Sequence, residues 1–359
     1  MLTGNVGEWS EIYTLLKLLS DGQLTPGDEN IEKIKGVFFP IVKILRTESN
    51  GTFEYSIDQD IVISSGGNEL LRIPMAIFKE KATFLLEKIK ANTDRTFPVP
   101  EIEAFMLDIK CISLKAGSGV KSDINIVIHD LRTNQMPLLG FSIKSQIGNP
   151  STLLNAGKTT NFVYKIEGVN LTDEEINSIN SIDSKNKIRD RIVAVLNKGG
   201  QFSFAGTEQK IFSNNLTLID SLLPKIVSDI TFAFYTEKDS TVKSLVDNIQ
   251  AKNPLGFDTS NDHKFYSYKI KRFLTDIALG MMPSKVWTGE YDATGGYLIV
   301  KEDGEVLCYH IYNKNEFENY LLNNTKLDTA SSTRHEFGTV YKINNELFFK
   351  LNLQIRFIK

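Results

Sequence analysis

The stretch KSDINIVIHDLRTNQMPLLGFSIKSQIGNPSTLLNAGKTTNF, from Lys121 to Phe162, decides the fold prediction for this chain. Its first part alternates apolar and polar residues with a period of two, which is typical of a half-buried strand. The polar turn RTNQMP then leads into a second alternating segment, LLGFSIKSQ, in which Ser142, Lys144 and Gln146 share one face. Two neighbouring strands of this kind bring Asp123 beside Lys144.

An acid and a lysine on adjacent strands have a use in phosphodiester chemistry. The Asp123 carboxylate is a hard oxygen ligand of the kind that Mg²⁺ prefers. A metal held there lowers the pKa of a bound water, while Lys144 positions or deprotonates that water and offsets developing charge. The alternative is an ordinary ion pair at a hairpin edge, because such pairs are common and weak.

Longer strings around this pair resemble known nucleases. Ser122-Asp123 and Ser142-Ile143-Lys144 resemble the two halves of the PD-(D/E)xK nuclease signature. The string GFSIKSQIGNPSTLLNA, followed by TNFVYKI, is similar to the HpaII-type restriction endonucleases. The segment GEWSE near the start and the segments GGYLIVKEDGEVLCYHIYN and STRHEFGTVYK near the end resemble that family too. The resemblance therefore covers both ends and the middle of the chain.

The sequence departs from the nuclease signature at one position. Ser142 stands where the pattern usually has an acidic ligand, and a hydroxyl is a poor substitute for a carboxylate on Mg²⁺. In several nucleases of the superfamily a glutamate of the first helix joins the metal site, and Glu11 fits that position best. The resemblance thus implies Asp123 and Glu11 as metal ligands, Lys144 as the catalytic lysine, and Ser142 and Gln146 as weak ligands or supporting groups. The alternative for Glu11 is a solvated acid near the start of a helix.

Two polar segments are candidates for DNA contact. The loop that follows Lys144 carries short donors and acceptors suited to phosphates and base edges, namely Asn155, Lys158, Thr159, Thr160 and Asn161. Near the C-terminus, Arg334 and His335 lie in the polar loop TASSTRHEFG, and arginine commonly reads guanine through two hydrogen bonds. The alternatives are an ordinary surface loop in the first case and an Arg334–Glu336 ion pair in the second.

Composition limits the class of protein. The 359 residues carry a formal net charge of −3, so a DNA-binding surface must come from local clusters of basic residues. Two cysteines give neither a disulfide framework nor a zinc site. No signal peptide and no apolar run of about 20 residues is visible, which predicts a soluble, cytoplasmic protein without a membrane partner.

The pattern of predicted elements indicates an α/β protein. We expect a restriction-endonuclease-like mixed β-sheet core flanked by helices, with a β-rich C-terminal region. Residues 1–252 are expected to form the nuclease core, with the N-terminal helix and the DNA-contacting loop. Residues 253–359 are expected to form the β-rich C-terminal region, either within the same domain or apart from it, and to help recognise DNA, because NPLGFDTSND marks a loop after residue 252.

The expected function is Mg²⁺-dependent hydrolysis of double-stranded DNA at a short palindromic site. The resemblance implies type II restriction and the target 5′-CCGG. A structure-selective or repair nuclease with the same core is one alternative. A DNA-binding protein with a decayed nuclease site is another, kept open by Ser142. A palindrome shows the same base edges on both strands, so a homodimer with one catalytic site per strand is the simplest assembly.

Overall fold

The structure is a computed structural model that describes residues 1–115 and 122–358. Lys121 and almost all of the predicted Gly/Ser connector before Asp123 lie outside the described residues. The helices are α1 Val6–Asp21, α2 Met75–Ala91, α3 Pro100–Asp108, α4 Asp173–Asn180, α5 Lys187–Asn197, α6 Lys210–Ile219, α7 Leu223–Thr236, α8 Val242–Lys252, α9 Phe265–Leu279, α10 Lys314–Asn323 and α11 Ser332–His335. None of these helices is long and apolar enough to cross a membrane.

The strands of the described residues are mostly short. They are β1 Thr3–Gly4, β2 Gln23–Pro26, β3 Phe39–Glu48, β4 Gly51–Ile57, β5 Asp60–Ser65, β6 Asn68–Pro74, β7 Phe97–Pro98, β8 Ile124–Ile128, β9 Leu138–Ser145, β10 Thr152–Leu154, β11 Asn161–Glu167, β12 Gln201–Thr207, β13 Gly296–Val300, β14 Val306–His310, β15 Thr325–Leu327, β16 Val340–Ile343, β17 Glu346–Asn352 and β18 Ile355–Phe357. The mixture of helices and strands confirms the predicted α/β class.

The chain separates into two compact units. The first contains residues 1–151 and 291–320, and the second contains residues 152–290 and 321–358. The predicted boundary after residue 252 falls inside the second unit, between α8 and α9. The division into a nuclease core and a C-terminal region stays a prediction.

The first unit is built on a nine-stranded mixed sheet. Its strand order is β2-β14-β13-β9-β8-β3-β4-β5-β6. Strands β9 and β13 run parallel, as do β14 and β2, whereas β8 pairs with β9 in the antiparallel sense. The predicted hairpin of the quoted stretch is therefore confirmed, and it lies inside the sheet because β3 covers the other edge of β8.

Helix α1 packs against β9 of that sheet. It begins with a capping box, in which the Asn5 side chain accepts a hydrogen bond from the Glu8 N–H and the Glu8 carboxylate accepts one from the Asn5 N–H. It ends at Gly22, whose φ of 69° is a conformation that glycine adopts without strain. Its apolar side, which includes the fully buried Trp9 and Ile12, contacts α2 and β9. This packing sets the position of Glu11 along β9.

The second unit combines helices α4 to α9 with two antiparallel sheets. One sheet has the order β12-β11-β17-β16 and the other has the order β10-β18-β15. Asn344 and Asn345 form the turn between β16 and β17 with φ of 49° and 66°, as an Asn-Asn hairpin predicts.

The sequence pattern predicts helices over residues 100–116 and 216–235, the second with a bend at Pro224, and a polar loop around Arg334; the structure differs at all three. The helix expected from residue 100 to residue 116 ends at Asp108, and Lys110 has a φ of 66° that a continuing helix does not allow. The single helix expected over 216–235 is two helices, with Pro224 in the first turn of α7, where its missing N–H costs nothing. The polar loop around Arg334 contains the short helix α11.

Candidate active site

The pairing of β8 with β9 fixes the Asp123 carboxylate. The Asp123 N–H donates to the Phe141 carbonyl at 2.8 Å. Its Oδ2 accepts two hydrogen bonds from β9, one from the Ile143 N–H at 2.7 Å and one from the Ser142 hydroxyl at 3.0 Å. Ser142 is buried and committed to this contact. The serine therefore orients the acid, and within the described residues the other carboxylate oxygen of Asp123 accepts no hydrogen bond.

Lys144 lies on the same face of β9, two residues beyond Ser142. Its Nζ stands 5.3 Å from the centre of the Tyr297 ring, and Tyr297 belongs to the parallel neighbour β13. Burial lowers the pKa of Lys144 below its ordinary value, while the nearby Asp123 and Glu11 carboxylates act in the opposite direction. A lysine that loses its proton more easily is suited to assist proton transfer from a water.

Glu11 approaches the same site from α1. Burial, reinforced by the negative charge of Asp123, raises the pKa of Glu11 to about 7. Glu8, one turn earlier, is already engaged: its carboxylate completes the helix cap and contacts Lys115 Nζ at 3.1 Å. The structure thus brings Glu11 together with Asp123, Ser142 and Lys144, and the role of Glu11 as the missing ligand stays a prediction.

A cavity of about 690 Å³ opens in front of these residues. Glu11 and Lys144 line it together with residues 147–149, Ser151 and residues 92–95. Arg95 in the last segment is exposed. Sequence reasoning missed residues 92–95, because a polar loop after a helix carries no periodic signal and nothing in the sequence predicts which cleft it faces.

The donor atoms at this site suit a hard divalent cation. Two carboxylates, Asp123 and Glu11, are close enough to raise the pKa of one of them, and a cation between them would relieve that repulsion. Gln146 follows at the end of β9, where its N–H donates to the Val300 carbonyl at 2.8 Å and its side chain is half-buried. Within residues 1–115 and 122–358, no group of three or more His, Cys, Asp or Glu side chains could hold a metal ion. A cation held by Asp123 and Glu11 would need further ligands, such as amide, water or phosphate oxygens.

The predicted DNA-contacting residues of the second unit fall into three groups. Asn155, Arg334 and His335 line one cavity of about 470 Å³. Thr160 and Asn161 expose no surface, so they cannot contact DNA in this structure. Their side chains instead bond to the buried Asn352 amide, at 3.1 Å and 2.7 Å.

Lys158 and Thr159 form a third group, whose side chains are accessible. Lys158 is exposed, and its Nζ contacts a Glu336 carboxylate oxygen at 2.5 Å. Glu336 therefore pairs with Lys158 and not with Arg334, the alternative considered from the sequence. Arg334 is exposed and lines the cavity.

In the metal-free protein, Glu11→Gln should increase stability at alkaline pH. The folded state holds a proton on Glu11 up to about pH 7, whereas the unfolded chain releases it near the ordinary value of 4.5. Wild-type stability should therefore fall between those values as the pH rises, by up to about 3 kcal/mol, and the glutamine variant should escape this loss. Urea unfolding at pH 5 and pH 8, in the presence of a chelator, measures this loss of stability in the wild type and in the variant. Equal pH dependence in Glu11→Gln and in the exposed control Glu87→Gln would contradict it.

The sequence was also compared with known proteins. The family model of the HpaII restriction endonuclease matches residues 5–357. The sequence is 49% identical over 360 residues to the Type II restriction enzyme HpaII of Haemophilus parainfluenzae, covering 99% of each chain. No solved structure matches.

Proposed function

Because this chain belongs to the HpaII restriction endonuclease family, we propose that it cleaves double-stranded DNA at 5′-CCGG with Mg²⁺ as its cofactor. It is a type II site-specific deoxyribonuclease, and enzymes of this class use a divalent metal. The observation that carries the proposal for the site is the meeting of Asp123, Lys144 and Glu11 at one end of β9 and α1.

Asp123, Glu11 and Gln146 would hold the metal ion. Both carboxylates offer the hard oxygen atoms that Mg²⁺ prefers, and the raised pKa of Glu11 supports a site that favours a bound cation. The chemistry that a bound Mg²⁺ supplies is polarisation of a phosphate oxygen and a lowered pKa of a coordinated water.

The protein groups then have separate tasks. Lys144 holds the attacking water near the phosphate and takes up a proton or offsets negative charge, which its lowered pKa and its position above Tyr297 support. Ser142 positions Asp123 through the hydroxyl bond to Oδ2 rather than replacing the missing acid. The cavity lined by Glu11 and Lys144 provides room for the sugar-phosphate backbone of the substrate.

Plasmid cleavage tests this function directly. Purified protein with Mg²⁺ and a plasmid of known sequence should give discrete fragments whose ends map to CCGG. Nicking of branched substrates without discrete fragments would favour the repair nuclease. Binding without any cleavage would contradict the assignment and point to a decayed site.

In the second unit we propose five residues for DNA contact: Asn155, Lys158, Thr159, Arg334 and His335. Arg334, His335 and Asn155 line one cavity, which supports a shared role in reading base edges. Lys158 and Thr159 are suited to phosphate oxygens, since they present a charge and a hydroxyl without a defined reading geometry.

Arg334→Ala should relax sequence discrimination. If its guanidinium grips guanine O6 and N7, its removal should cost roughly 1–3 kcal/mol of preference for CCGG over a site changed at one base pair. Competition binding with Ca²⁺ in place of Mg²⁺ measures this, with Arg72→Ala as the control for loss of an exposed arginine. Equal weakening on specific and random duplexes would assign Arg334 to a phosphate instead.

We further propose that two chains act on one palindromic duplex in the cytoplasm. Twofold symmetry of the target supports a homodimer with one catalytic site per strand. The apolar pattern of the C-terminal strands favours Phe348, Phe349, Leu351, Leu353 and Ile355 as residues that pack across a twofold axis. In the structure Phe348 is half-buried and the other four are buried within the second unit, so they offer little apolar surface for such an interface. Light scattering of the DNA-bound Lys144→Ala protein would measure the number of chains per duplex.

A further inference from the structure

The second unit contains a cavity of about 740 Å³ that the proposed catalytic site does not use. Four basic side chains line it: Lys185, Lys187, Arg189 and Lys238. The first three belong to the basic cluster at the start of α5, for which the sequence alone favours a solvated helix face. The fourth follows α7, some fifty residues later. We call this cavity the cationic cleft.

The acids of the cationic cleft are already occupied. Glu237 bonds to Lys252 Nζ and to the Asn248 side-chain amide, the latter at 2.7 Å. The Asp239 carboxylate accepts a hydrogen bond from the Ser240 N–H at 2.7 Å, and its pKa is lowered by hydrogen bonds, first from the Ser244 side chain and then from the backbone. Lys252, outside the cleft, neutralises Glu237, so among the described lining residues the four basic side chains face only Asp239 as an unbalanced acid.

Three of the four basic residues of the cleft have no acidic partner within the described parts of the chain. Lys187 contacts Asp183 at 2.9 Å, and Arg189 donates from Nε to the Tyr235 carbonyl at 3.3 Å. Lys185 and Lys238 are exposed, and within the described parts of the chain neither has an acidic partner within salt-bridge distance. The cleft is therefore positively charged in a protein whose net charge is −3, which favours an anionic ligand.

The position of the cleft beside the cavity of Arg334 and His335 indicates which anion it binds. Thr329, Ala330 and Ser331 line both the cationic cleft and the cavity of Arg334 and His335, so this three-residue segment is a wall common to the two. A ligand that reaches across the wall meets basic residues on one side and side chains suited to base edges on the other. Duplex DNA has this arrangement, with phosphates flanking the base edges of each groove.

We propose that the cationic cleft binds backbone phosphates of the DNA whose bases are contacted from the cavity of Arg334. The inference rests on the proposed function, since it takes the same duplex as ligand. Lys185 and Lys238 supply charge without base preference, and the hydroxyl groups of Ser331 and Thr333 add neutral donors. Contacts of this type fix the register of the protein on the duplex and make affinity depend on salt.

The double variant Lys185→Ala/Lys238→Ala tests the proposal. Both side chains are exposed, so the fold should be kept. A plot of log affinity against log salt should become less steep by about two, or about one for each phosphate that is no longer neutralised. The loss of affinity should be equal for a CCGG duplex and a random duplex. Fluorescence anisotropy with Ca²⁺, from low to physiological salt, gives both quantities.

The matched control is Lys210→Ala/Lys243→Ala. It removes the same charge from two exposed lysines of the second unit that do not line the cleft. An equal change of slope in both double variants, or no change in either, would overturn the proposal while wild-type binding and cleavage keep the proposed function intact. A loss of affinity confined to the CCGG duplex would assign the lysines to bases and overturn it as well. A wild-type protein that binds no duplex would instead refute the proposed function.

Discussion

Replacing Lys144 by alanine is expected to abolish DNA cleavage while leaving the chain folded and able to bind its duplex. The side chain is half-buried, its pKa is lowered by burial, and its charge lies close to both Asp123 and Glu11. No other lysine lines the cavity in front of the site within the described residues. Loss of a group that serves the attacking water and the transition state lowers rates by roughly 10²–10⁴-fold.

Asp123→Ala should have an effect at least as large. It removes a proposed metal ligand and the acceptor of two hydrogen bonds from β9. Single-turnover cleavage of a CCGG duplex measures both variants, with circular dichroism and Ca²⁺-supported binding as checks on folding. Lys43→Ala, on the neighbouring part of the sheet and paired with Glu54, is the control for loss of a lysine. A folded Lys144→Ala protein that cuts at nearly the wild-type rate would refute the assignment.

The local part of this site was predictable because it is encoded in short-range patterns. Alternation of apolar residues predicts β8 and β9, and two adjacent strands put Asp123 opposite the segment of Ser142 and Lys144. The apolar stripe of α1 likewise predicts a helix that carries Glu11. These signals depend on the spacing of neighbouring residues and require no knowledge of the rest of the chain.

The features that the sequence did not predict depend on contacts between distant parts of the chain. Strand β13, which supplies Tyr297 beside Lys144, pairs with β9 only after the whole segment 152–290 has intervened. The cationic cleft joins the start of α5 to Lys238 and to residues 329–333. The burial of Thr160 and Asn161 follows from their bonds to Asn352, near the other end of the chain. Composition marks such residues as polar without revealing whether water or protein satisfies them.

Substitutions at Glu11 and at Ser142, where the signature usually has an acid, give the sharpest comparison between variants. Glu11→Gln keeps the size of the side chain but removes the charge that a metal ion needs. If Glu11 supplies the ligand missing at Ser142, cleavage should fall by orders of magnitude and the Mg²⁺ concentration for half-maximal rate should rise. Ser142→Ala should be far milder, because Asp123 Oδ2 keeps its 2.7 Å bond from the Ile143 N–H. The hydroxyl bond that this variant removes is worth about 1 kcal/mol, or less than about tenfold in rate.

Glu8→Gln is the matched control for this comparison, since Glu8 lies one turn before Glu11 on the same helix. Its carboxylate serves the helix cap and Lys115. A glutamine can still accept the cap hydrogen bond and loses only the ion pair, so stability should fall by less than about 1 kcal/mol and the Mg²⁺ requirement should stay nearly unchanged. Mg²⁺ titrations of single-turnover cleavage for the three variants give the ranking. A larger defect in Ser142→Ala than in Glu11→Gln would show that the hydroxyl, and not the helix acid, serves the metal. Equal defects in Glu8→Gln and Glu11→Gln would place the effect on α1 as a whole rather than on a ligand.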